Sequence, residues 1–102
     1  MSVKKQYLKS KPVCRVTFRV PSQVAKKAKN VHIVGEFNNW SKVSTPMKRL
    51  KDGAHVVTLD LGTGTEYQYR YLIDEDVWEN DWDADKYVPS LFGGCDNSVV
   101  IV

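Results

Sequence analysis

The sequence predicts an all-β protein, an antiparallel sandwich built as a single domain. Three observations carry that prediction. Apolar and polar residues alternate with period two in several short runs. Turn-forming residues separate those runs, and no stretch shows a convincing helical stripe. A chain of 102 residues is long enough for one core and too short for two.

The elements follow in chain order. Lys4, Lys5, Lys9 and Lys11 crowd the first stretch, so residues 1–11 read as a basic tail. Val13–Val20 alternates strictly, with Cys14, Val16, Phe18 and Val20 on one face and Arg15, Thr17 and Arg19 on the other. Pro21 and Ser22 stop that strand, and the lysine-rich stretch to Lys29 reads as a loop. A second strand runs from Asn30 to Glu36. Thr45–Lys48 suits a short edge strand, because Pro46 cannot donate to a ladder. Asp52-Gly53 is a strong hairpin signal. It leads into a strand over Ala54–Leu61, which Gly62-Thr63-Gly64 then turns. Glu66–Ile73 places Tyr67, Tyr69, Tyr71 and Ile73 on one face and Gln68, Arg70 and Leu72 on the other. Ser98–Val102 is the last strand. Between these two lies an irregular acidic segment, 74–97, that carries Trp78, Trp82, Tyr87 and Phe92. Long loops in compact domains usually carry function.

Composition narrows the class. The chain is 42% hydrophobic and 26% charged with a net charge of +3, a globular balance. The excess lysines sit in the expected tail and loop rather than on a folded face, so nucleic acid is not an expected partner. Cys14 and Cys95 have neither metal-ligand spacing nor a CxxC arrangement and read as free thiols of a reducing compartment, with a disulfide between them as the alternative. No apolar run reaches bilayer length, and no apolar stretch follows the opening lysines. A cytoplasmic protein with no membrane partner and no secretory leader is expected.

Catalytic patterns are missing. His32 and His55 are far apart and lie in or beside strands, no serine sits in a nucleophile elbow, and Gly62-Thr63-Gly64 lacks the lysine end of a phosphate loop. No enzyme, and no cofactor, is expected. Asp81, Asp83 and Asp85 match the opening of a calcium loop. Lys86 stands where that loop needs glycine and Phe92 where it needs a bidentate glutamate, so these acids read as solvated turn carboxylates and no metal is expected.

The aromatic residues remain. Asn38 and Asn39 precede Trp40, and Glu79 and Asn80 follow Trp78. An exposed indole among such neighbours suits a sugar: pyranose C–H groups pack on the π-face while amides and guanidinium groups reach the hydroxyls. Arg70, facing away from the tyrosines, is either such a donor or a plain solvent-facing arginine. Trp82 reads equally as core or as platform.

The segments "VHIVGEFNNWS", "YQYRYLIDEDVWEND" and "FGGCDNSVVIV" together resemble carbohydrate-binding module family 48, the glycogen-binding or isoamylase-type early-set domains. That family includes the glycogen-binding domain in the β subunit of AMP-activated protein kinase. The run "WENDWDADKYVP" with "FG" and "NSVV" is most similar to small bacterial stand-alone members. The resemblance covers residues 12–102 and implies an immunoglobulin-like sandwich that binds α-1,4-glucan without cleaving it. It implies a sugar site of Trp40, Trp78, Arg70, Asn97 and Asn39, with stacking by the two tryptophans, hydrogen bonding by Arg70 and Asn97, and a Trp40 loop shaped by Asn38 and Asn39. The expected partners are glycogen or maltooligosaccharides and a glycogen-metabolism enzyme. A protein-interaction module of the same fold is the alternative. The kinase-subunit version threads a leucine through a glucan ring, whereas this chain has glycine near that place and Cys95 where a threonine would help.

Overall fold

The computed structural model describes residues 3–25, 27–90 and 95–102. Its first strand, β1 (Lys4–Tyr7), lies inside the stretch expected as a basic tail. It pairs antiparallel with β2 (Val13–Val20), setting Lys4 opposite Thr17 and Tyr7 opposite Cys14. Lysines on an edge strand discourage further pairing by another chain. They do not prevent pairing with β2, whose backbone groups on that side would otherwise lack partners.

Within β2, alternation decides which residues are inside. Cys14, Val16, Phe18 and Val20 are fully buried. The Pro21 carbonyl then accepts the N–H groups of Val24 and Ala25, so the expected loop contains one helical turn, α1 (Ser22–Ala25). Next come β3 (Val31–Gly35) and a 3₁₀ turn over Glu36–Asn38. A bridge of His32 to Pro46 precedes the two-residue β4 (Lys48–Arg49). The long strands β5 (His55–Gly62) and β6 (Glu66–Ile73) follow, then β7 (Val77–Glu79), β8 (Lys86–Pro89) and β9 (Asp96–Ile101).

These strands form two antiparallel sheets, ordered β1-β2-β5-β4 and β3-β6-β9-β8, with β7 also paired to β6. The fold is therefore the expected all-β sandwich. Phe18 of the first sheet meets Tyr69 of the second edge-to-face at 5.0 Å, and Tyr69 meets Tyr71 at 5.8 Å. Each large side chain buried this way stabilises the fold by about 1.5–3 kcal/mol. Cys14 lies in the core and Cys95 is exposed, and neither is in a disulfide. Gly35 is required by close approach rather than by its dihedrals. A Cβ there would lie 2.6 Å from the Gln68 carbonyl oxygen and 2.8 Å from the Tyr69 Cβ.

The outer face of the first sheet satisfies itself. Arg15 pairs with Asp60 at 2.9 Å, and the Thr17 and Thr58 hydroxyls are 3.0 Å apart. The outer face of the second sheet is different. Among the described residues, no helix is long and apolar enough to cross a membrane.

Candidate functional site

On β6, the side chains that alternate with the buried tyrosines point away from the core. Arg70 lies opposite Val34 of β3, Leu72 opposite Trp78 of β7, and Gln68 opposite Val99 of β9. Two loops rise beside this face. The first is built by Asn38, whose Oδ1 accepts the Gly35 N–H at 3.1 Å. Its Nδ2 donates to the Ile33 carbonyl and the Thr45 hydroxyl, both at 3.0 Å. Asn39 and Trp40 then adopt left-handed conformations, φ 56 and 58°, and the Trp40 N–H returns to the Gly35 carbonyl at 2.8 Å. Asparagine tolerates this region; for tryptophan it costs about 1–3 kcal/mol. The strain is local to a ring held outward.

The second loop is the β6–β7 hairpin. Asp74 and Glu75 are both left-handed, φ 52 and 70°, the requirement of a type I′ turn normally met by Asn-Gly. Asp74 Oδ1 accepts the N–H groups of Lys29 and Asn30 at 2.7 and 3.1 Å, which holds the turn down. Those bonds, from Asn30 first, keep its carboxyl below the usual range. The hairpin delivers Trp78.

Between the loops is a groove of about 780 Å³. Trp40, Trp78, Arg70 and Asn97 all line it, and the two indoles are each 39% exposed. Asn39 does not line it. Sequence reasoning missed Glu36, Lys42 and Gln68, which also face this space. Gln68 was legible from alternation, since it shares the outward side of β6 with Arg70. Lys42 was not, because only the loop's path brings its ammonium 5.8 Å from the centre of the Trp78 ring. The polar groups are interlinked. Asn97 Nδ2 donates to Gln68 Oε1 at 3.0 Å, Glu36 Oε1 accepts the Gln68 N–H at 2.6 Å, and Arg70 Nε donates to the Asp96 carbonyl at 3.2 Å.

Two expectations are corrected by what lies behind and beside the groove. Asp81 is not a solvated turn carboxylate but fully buried. Its Oδ2 accepts the hydroxyls of Tyr69 and Tyr71 at 2.8 and 3.0 Å, and its carbonyl accepts that of Tyr87. A buried carboxylate is tolerable only with such donors. Burial, followed by neighbouring charge, pushes both inner phenols well above their ordinary range. Asp85 bonds the Ile101 N–H and Lys5, both at 2.7 Å. Among the described residues no group of three or more His, Cys, Asp or Glu side chains could hold a metal. Trp82, 57% exposed, lies neither in the core nor in the groove lining. Phe92, Gly93 and Gly94, on which the calcium-loop and leucine comparisons bear, lie outside the described residues.

Comparison with known proteins adds two findings. The family described as the glycogen recognition site of AMP-activated protein kinase matches residues 20–100. The 5'-AMP-activated protein kinase subunit beta-1 of Sus scrofa is 37% identical over 73 residues, which cover 72% of this chain and 55% of that protein. The match thus spans about half the length of that relative.

Proposed function

The chain belongs to the family described as the glycogen recognition site of AMP-activated protein kinase, and we propose that its groove holds an α-1,4-glucan chain without cleaving it. The observation that carries this reading is the shared groove itself. Two half-open indoles border a space whose polar lining includes Arg70, Asn97, Gln68, Glu36 and Lys42. Trp40 and Trp78 are the stacking platforms for the apolar C–H faces of successive glucose units. The Arg70 guanidinium and the amides of Asn97 and Gln68 serve the hydroxyls. The groove falls within the roughly 300–1,000 Å³ of ordinary ligand clefts. Affinity is expected on the order of 10 μM to 1 mM, or roughly −4 to −7 kcal/mol.

Binding rather than hydrolysis fits the acids. Glycosidases place two carboxyl groups about the scissile bond, whereas Glu36 is the only acid lining the groove among the described residues. The alternative, a protein-interaction module, would favour one contiguous apolar patch over platforms separated by polar groups. Membership of carbohydrate-binding module family 48, a glycogen-metabolism enzyme as partner and a cytoplasmic setting belong to the same proposal.

Sedimentation with insoluble amylose, followed by calorimetry with maltoheptaose, tests it. Binding to maltoheptaose but not to cellulose-type oligomers is expected. No heat at millimolar maltoheptaose would overturn the reading.

A further inference from the structure

A gap in the hydrogen-bond ladder of β6 leads to a residue outside the groove. On one side of β6, β9 pairs with Glu66–Tyr69, and β7 pairs with Tyr71–Ile73. Arg70 stands where the ladder passes from one strand to the other. The neighbours on that side are the end of β7 and the start of β9, and the Asn80 side chain joins them. Asn80 Nδ2 donates to the Asp96 carbonyl at 2.8 Å. Asn80 Oδ1 accepts the Ser98 N–H at 3.1 Å and the Ser98 hydroxyl at 2.8 Å. One amide thus replaces the missing backbone rung and brackets Asn97 from both sides.

The same Asp96 carbonyl accepts Arg70 Nε at 3.2 Å. A carbonyl has room for two donors, and the shorter bond from Asn80 holds this one in place for the longer bond from Arg70. We infer that Asn80 is a positioning residue for glucan binding: it aims the Arg70 guanidinium and Asn97 into the groove by fixing the start of β9. This inference rests on the glucan-binding reading above. Asn80 does not itself line the groove, so its effect passes through Arg70 and residues 96–98.

The test is a double-mutant cycle read by maltoheptaose calorimetry, with nuclear magnetic resonance of the Arg70 Nε–H in the unliganded protein. Asn80→Ala is expected to weaken binding about tenfold, the order of one lost hydrogen-bonded anchor. In the Arg70→Ala background the same change should cost no more than about threefold, whereas with Trp40→Ala, a separate contact, the losses should multiply. The Arg70 Nε–H should exchange faster with water in Asn80→Ala than in wild type. Should Asn80→Ala fail to fold, Asn80→Asp carries the same measurements, because it retains an oxygen for Ser98 and loses the donor to Asp96. Undiminished binding, an equal loss with and without Arg70, or an unchanged Arg70 signal overturns the inference. Absence of binding by the wild type would sink the glucan reading instead, and the Arg70 signal would still decide the role of Asn80.

Discussion

The Lys42 ammonium lies 5.8 Å from the centre of the Trp78 ring, within the groove that both residues line. A sugar stacking on that ring face must displace the cation. An exposed cation–π contact is worth about 0.5–1 kcal/mol. Lys42→Met should therefore tighten maltoheptaose binding by about two- to fivefold. Calorimetry on the pair checks this, and weaker binding by Lys42→Met would show that the ammonium bonds the sugar.

Trp40→Ala and Trp78→Ala should each weaken glucan binding by roughly 1–2 kcal/mol while the thermal midpoint changes little. Both rings are half-open, so little core packing is lost with them. A collapsed midpoint, as after loss of a core aromatic, would assign the ring to the fold. Trp82→Ala should change glucan affinity by no more than about 0.5 kcal/mol, since the ring does not line the groove.

Arg70→Ala should lower affinity by about 1.5–3 kcal/mol, the range for hydrogen bonds that involve a charged group. Arg70→Lys keeps the charge but loses the Nε contact to Asp96, so it should weaken binding, though less than Arg70→Ala. An unaltered dissociation constant for Arg70→Ala, beside a weakened Trp40→Ala, would move the sugar site elsewhere.

Asp81→Asn should destabilise the fold by about 1–3 kcal/mol, because either orientation of the amide sets its nitrogen against donors: the two phenol protons that Asp81 Oδ2 receives, or the Asp83 N–H that Oδ1 accepts. At this chain length each kcal/mol lowers the midpoint by about 4–8 °C. Chemical denaturation of the two proteins at neutral pH checks it, with equal midpoints as the contrary result.

Tyr69 and Tyr71 add an alkaline limit. Their folded pKa values are raised above the ordinary 10.0, first by burial. Below pH 10 both states hold the protons, and the stabilisation is fully present. Above it the unfolded chain loses protons that the native state retains, so stability falls as pH rises. Denaturation between pH 8 and 11 should show this decline, and Tyr71→Phe should make it shallower.

What the sequence by itself determined was what depends on period-two alternation and local turn chemistry. Val13–Val20 and Glu66–Ile73 were legible to the residue, with Tyr69 and Tyr71 inward and Arg70 outward, because successive Cβ atoms in a strand must point to opposite faces. The candidate residues Trp40 and Trp78 were legible as aromatics set among short polar residues, where a core would want apolar neighbours. Tertiary structure alone decided the rest. β1, β7 and β8 carry mixed or charged residues and form because partner strands offer unpaired backbone groups. Asp81 is buried because Tyr69, Tyr71 and Ser98 converge on it from strands distant in sequence. Lys42 meets Trp78, and Asn80 meets Asp96, across loops whose paths no local pattern encodes. A residue's face follows from its neighbours in the chain; its partner follows from where the whole chain has gone.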